Sequence, residues 1–117
     1  MAIDYSRAFA AYKVGAEGGD ASSQYQLGII YDEGSGVPQD YKQARVWWEK
    51  AETQDYPAAV HQLGVLYFNG HGVIPSWRRA REYLKRATKL GSSKARENMD
   101  IVNRNIQQVT ASPINKT

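Results

Sequence analysis

The chain has 117 residues, no cysteine, 42% hydrophobic and 23% charged residues, and a formal net charge of +3. This composition suits one soluble globular domain and excludes a disordered chain, a disulfide framework and a cysteine-bound metal scaffold. No apolar run nears the ~20 residues that span a bilayer. The start, "MAIDYSRAF", has neither a basic n-region nor an apolar h-region, so a cytoplasmic protein without a signal peptide is expected.

Six helices are predicted in chain order. The first, over 4–16, begins at Asp4 in "DYSRAFAAYKVG". The second, over 21–33, spaces Ser23, Leu27 and Tyr31 at i, i+4 and i+8, which keeps one face apolar. The third, over 40–53, carries the stripe Tyr41, Ala44, Trp48 and Ala51. Asp40 is its N-cap, and Gln43 stands at the capping-box spacing, from which its amide can return to the cap backbone. Trp47 and Trp48 are consecutive, so one helix face cannot bury both equally. Trp48 is expected in the core and Trp47 at the seam with the next hairpin, where exposure would make it an interface anchor.

The fourth helix, over 57–69, opens with Pro57 in its first turn, where a missing N–H costs little. Ala59, Leu63 and Tyr67 repeat the i, i+4, i+8 pattern. The fifth, over 76–90, is capped by Ser76, carries Trp77, Ala80, Leu84 and Ala87, and stops at Gly91. Glu82 can pair with Arg78 or Arg86 one turn away. The sixth spans 93–109, and residues 110–117 read as a flexible tail.

These helices are copies of two elements. "LGIIYDEGSGV" at Leu27 to Val37 matches "LGVLYFNGHGV" at Leu63 to Val73 in six of eleven positions, at an offset of 36 residues. The same offset relates "DYKQARVWWEKA" to "SWRRAREYLKRA", and one step back reaches Asp4, Tyr5, Ala8 and Tyr12. Met99 stands in the register of Leu27 and Leu63. A phosphate loop needs a strand, a glycine turn and then a helix. Here the glycines follow apolar helical stretches, with no Gly-Lys-Ser/Thr sequence. Gly34 and Gly70 instead end helices, Gly36 and Gly72 shape the connections, and Val37 and Val73 plug them. Gly28 and Gly64 lie inside helices at ~1 kcal/mol each relative to alanine, which implies a close helix–helix approach. A single hairpin cannot bury its own stripe, so the hairpins must stack as a short solenoid.

The pattern Leu-Gly-x-x-Tyr, Gly-x-Gly-Val, Asp-Tyr-x-x-Ala-x-x-Trp-Trp-x-x-Ala resembles the Sel-1-like repeat, a relative of the tetratricopeptide repeat, over roughly residues 4–100. Ser23, Ser76 and Asp100 depart from that pattern, and Asp100 marks the sixth helix as a cap. The resemblance implies an all-α, right-handed α/α superhelix of about six antiparallel helices. The domain is then 1–109: a half repeat 4–19, repeats 20–55 and 56–91, and a capping helix 92–109. It also implies a protein–protein adaptor, with bacterial members in signalling and envelope regulation and some small immunity proteins that neutralise a toxin. A small chain starting at Met1 is expected to be a stand-alone inhibitor rather than a large scaffold. A cysteine-rich branch is linked to β-lactam binding, and a chain without cysteine does not resemble it.

In such superhelices the first helix of each hairpin lines the concave face. Three rows are then expected there: Tyr25, His61 and Glu97; Ile29, Val65 and Ile101; Asp32, Phe68 and Arg104. The middle row is apolar throughout and suits a partner-binding groove with anchor residues. The alternative is that the chain's own terminal helix or a second copy packs on this row. His61 and His71 are the only histidines and lack ligand spacing, so no metal or cofactor is expected. Asp32 and Glu33 are adjacent and point to opposite sides of a turn, and no nucleophile motif is present, so no enzyme is expected.

Charge is uneven: residues 1–75 sum to −4 and residues 76–117 to +7. The basic helix 76–90 offers an alternative, the binding of an acidic surface or nucleic acid. No nucleic-acid motif accompanies it, and its charges wrap an exposed face. A basic half is also less natural in a nuclease inhibitor, which mimics acidic nucleic acid.

Overall fold

The structure, a computed structural model, describes residues 4–111, with side chains through residue 108. Its six helices are α1 (Tyr5–Glu17), α2 (Ala21–Glu33), α3 (Tyr41–Glu52), α4 (Pro57–Asn69), α5 (Trp77–Lys89) and α6 (Ser93–Ala111). The expected tail falls almost wholly outside the described residues, and α6 itself runs to Ala111. Each helix packs on the next in sequence, and α4 also touches α6. The molecule measures 55 × 28 × 26 Å with a radius of gyration of 16.0 Å. A spherical domain of this length would have about 13 Å. The excess is the signature of stacking along one axis, in which each hairpin touches only its neighbours.

The helix starts follow from side-chain chemistry. Asp4, Asp20, Asp40 and Ser76 each accept a hydrogen bond from the backbone N–H three residues on. That satisfies one of the orphan donors at each N-terminus. The reciprocal half of the expected capping box is absent. The Asp40 N–H donates to the Tyr31 carbonyl at 2.9 Å instead, and the Ser76 N–H donates to the Tyr67 carbonyl at 2.9 Å. These two bonds pin the start of each second helix to the last turn of the first.

The elbows between them explain the Gly-x-Gly pair. Gly34 and Gly70 take left-handed conformations that end α2 and α4. At Gly36 (φ 77°) a Cβ would lie 2.6 Å from the Cβ of Tyr5, and at Gly72 (φ 72°) 2.9 Å from that of Tyr41. So the second glycine of each elbow receives the Cβ and backbone of the tyrosine that opens the preceding second-type helix. His71 completes this packing by stacking on Tyr41 at 4.5 Å.

The core lies on the predicted stripes. Leu27, Ala44, Trp48, Ala51, Leu63, Ala80, Leu84 and Ala87 are all buried. At Gly28 a Cβ would overlap the indole nitrogen of Trp48, and at Gly64 it would lie 2.8 Å from Leu84 Cδ2. The Trp48 Nε1–H donates to the Tyr25 carbonyl at 3.1 Å, which satisfies the one polar atom of that ring.

Two sequence expectations need correction. Trp47 is buried as well, at 9% exposure against 1% for Trp48. It packs with Ala16, Leu27, Phe9 and Tyr12, so its seam is with the preceding helix α1 rather than the next hairpin. Arg86 does not pair with Glu82. It crosses to Glu52 at 2.6 Å and Asp55 at 2.5 Å, and also donates to the Glu52 carbonyl. Two carboxylates and a helix-end carbonyl fit its planar fork better than one flexible neighbour.

Gly28→Ala gains about 1 kcal/mol of helix propensity but forces the indole away from the backbone, at about 1–3 kcal/mol. A lower urea midpoint than wild type is expected. An equal or higher midpoint would refute the close approach.

Candidate functional site

α4 and α6 leave a cleft of about 220 Å³ between them, and its lining is mostly apolar: Val65 and Phe68 from α4, Leu84 from α5, Ile101 and Val102 from α6. Its polar lining is Asn69 and Asn98. The helix phases explain the opening. α6 turns Ala95, Met99, Val102 and Ile106 toward α4 and α5, which leaves Ile101 on the outer shoulder at 41% exposure. Phe68 is held from the other side by Trp77, with ring centroids 6.3 Å apart.

The nine residues placed on the concave rows are distributed unequally. Val65, Phe68 and Ile101 converge in the cleft. Ile29 is half-buried against the core of the central hairpin, outside the cleft lining. Tyr25 is half-buried, with its ring 5.6 Å from that of Tyr56. Burial raises its hydroxyl pKa, while a hydrogen bond with Gln62 opposes the rise. Asp32 is half-buried, and its carboxyl is raised by desolvation against the lowering effect of His71. Glu97 and Arg104 are exposed and lie outside the cleft lining.

His61 is buried, at 8% exposure, and lies 2.7 Å through Nε2 from the side-chain amide of Asn98. Its pKa is lowered, first by burial and then by Lys94. A neutral ring then accepts from Asn98 Nδ2, which fixes the amide at the edge of the cleft. Sequence reasoning missed Asn98 because strict register pairs His61 with Glu97. The residue that meets it is one position later.

The cleft has the shape of a seat for an apolar side chain, with an oriented amide at its rim. Among the described residues no three metal-ligating side chains converge. No described helix is long and apolar enough to cross a membrane.

Stacked helical hairpins with a fixed stride and glycine elbows define a tetratricopeptide-like repeat scaffold. The Sel1 repeat family matches residues 21–56 and 57–92, and the chain belongs to that family. Similar solved structures include a Sel1 repeat protein from Oxalobacter formigenes: 32% identity, TM-score 0.79, covering 84% of this chain and 40% of that one. A protective antigen of uropathogenic Escherichia coli that displays an SLR fold has 33% identity and a TM-score of 0.76, covering 80% of this chain and 20% of that one. Helicobacter pylori cysteine rich protein B has 25% identity and a TM-score of 0.73, covering 80% of this chain and 70% of that one. The chain thus spans less than half the length of the first two. Among curated proteins no sequence matches.

The His61 environment sets a pH dependence. A lowered folded pKa means that the unfolded chain binds the proton first. Stability is then full above the unfolded value of about 6.5 and falls as pH drops through it toward the folded pKa. Urea midpoints at pH 7.5 and 5.0 are expected to differ more for wild type than for His61→Gln. Equal differences would show that His61 is not buried in the neutral form.

Proposed function

We propose that the chain is a non-catalytic protein-interaction module that holds a partner protein through the cleft between α4 and α6. Sel1 repeat proteins generally mediate protein–protein interaction, and the repeat is a binding scaffold rather than a catalytic one. The observation that carries the reading for this chain is the convergence of Val65, Phe68 and Ile101 on one apolar opening. An apolar seat ringed by polar groups is where a partner's anchor side chain gains most from desolvation. The remaining concave-row residues, Tyr25, Ile29, Asp32, Glu97 and Arg104, extend the contact as a rim, and His61 acts through Asn98. A regulatory adaptor and an immunity-type inhibitor use such a seat alike, and the partner's identity separates them.

Partner capture with the immobilised chain, followed by titration of the purified partner, tests this. Ile101→Glu changes an exposed side chain and is expected to weaken binding by about tenfold or more, the loss of an anchor contact, with helical circular dichroism unchanged. Val65→Asp is expected to act in the same direction. Wild-type affinity in Ile101→Glu would refute the cleft as the binding surface.

A further inference from the structure

The cleft does not account for the charge of α5. Arg78, Lys85 and Lys89 fall within a narrow arc of the outer surface of α5, about 16 Å long at 1.5 Å per residue. Arg81 flanks this arc. All four are exposed, and none pairs with a carboxylate among the described residues. Glu52 and Asp55 are already held by Arg86, and Glu82 on the same helix makes no ion pair among the described residues. The repeat does not require this stripe. One stride earlier, the residues in register with Arg78, Arg81, Lys85 and Lys89 are Lys42, Arg45, Glu49 and Thr53, whose charges sum to +1 against +4 here. A merely solvated second-type helix therefore does not need four cations on this face. At the N-terminal end of the stripe lies a depression of about 280 Å³ lined by Trp77, Ile106, Arg78 and Arg81. Two guanidinium groups thus flank an aromatic and aliphatic floor.

We propose that the outer face of α5 is a second docking surface, for an acidic peptide segment. One apolar side chain of the segment enters the Trp77–Ile106 depression, and its carboxylates pair with Arg78, Arg81, Lys85 and Lys89. Each exposed pair alone contributes little. Several pairs around one desolvated anchor give both attraction at a distance and a fixed register. The stripe fits a polypeptide better than a nucleic acid for two reasons. Glu82 sits among the cations and faces any ligand laid along them, and a phosphate backbone cannot avoid it, whereas a peptide can place a neutral or basic residue there. The stripe also ends with α5, too short to track a duplex. The surface is separate from the α4–α6 cleft, since α5 turns Leu84 to the cleft and these charges away from it.

The probes are a synthetic peptide of about four helical turns, rich in Glu with one central Leu, the same peptide with Gln for Glu, and an oligothymidylate of similar length. Peptide anisotropy reports binding, and tryptophan fluorescence reports its place, because Trp77 is half-buried while Trp47 and Trp48 are enclosed. The acidic peptide is expected to bind, to change a fluorescence signal that Trp77→Phe removes, and to weaken between about 50 and 300 mM salt. The double variant Arg81→Glu, Lys85→Glu is expected to weaken it by about tenfold or more, and Ile101→Glu to leave it unchanged. Equal binding of the Gln peptide, no binding of the acidic peptide, an unaffected double variant or a preference for the oligothymidylate would each overturn the proposal. Loss of peptide binding in Ile101→Glu would place the peptide in the cleft instead and overturn it as well.

Discussion

The whole stack depends on side chains lying on bare backbone. Trp48 rests on Gly28 and Leu84 on Gly64, so each hairpin closes at a distance that a methyl group would prevent. The glycines cost helix propensity, and burial of an indole and a leucine offsets that cost several-fold at about 25 cal/mol per Å² of apolar surface. The third member of this series is Asp100, which is exposed. Its side chain stands where a further helix would have to seat its own large residue. Among the described residues nothing packs closely on that side of α6, and Met99 stays only half-buried where Leu27 and Leu63 are fully enclosed.

The packing of α6 produces the candidate site. α6 packs its inner residues against α4 and α5, and among the described residues no helix narrows the space along its shoulder. Ile101, Val65 and Phe68 are left facing one another across an opening instead of meeting in a closed core. The elbows hold this geometry from the other end. Backbone bonds from Asp40 to Tyr31 and from Ser76 to Tyr67, with the first residues of α1 and α3 packed on Gly36 and Gly72, leave the helix pairs little freedom to slide. A cleft built on such a frame is pre-formed, and a partner need not spend interaction energy on ordering it.

Several buried polar groups are handled by cross-links between helices. Gln24 donates to the Ala16 carbonyl, Trp48 to the Tyr25 carbonyl, and Asn98 meets His61. Each of these ties two helices together where an unpaired group would be costly. Charge is treated differently at the two ends. Arg86 is spent on clamping α5 to the turn after α3, while the other cations of α5 remain on the surface. One helix thus supplies a structural clamp, the floor of the apolar cleft and a basic outer stripe, on three different sides.

Much of this was legible beforehand because a 36-residue stride forces chemically similar residues into equivalent places. Helix positions to within a residue or two, the stripes of Leu27, Ala44, Trp48, Leu63 and Leu84, the caps at Asp40 and Ser76, and the close approach at Gly28 all follow from local pattern and helix geometry. The chain alone could not reveal what depends on how helices turn about their axes and which long side chains meet. The placement of Trp47 against α1, the reach of Arg86 to Glu52 and Asp55, the tyrosines on the second elbow glycines and the pairing of His61 with Asn98 are decided by contacts between residues distant in sequence. The same holds for the rows on the first helices. Periodicity put nine residues on one face, but the packing of α6 brought only Val65, Phe68 and Ile101 to the same opening, because α6 settles by its own apolar face of Ala95, Met99, Val102 and Ile106 rather than by the register of the repeat.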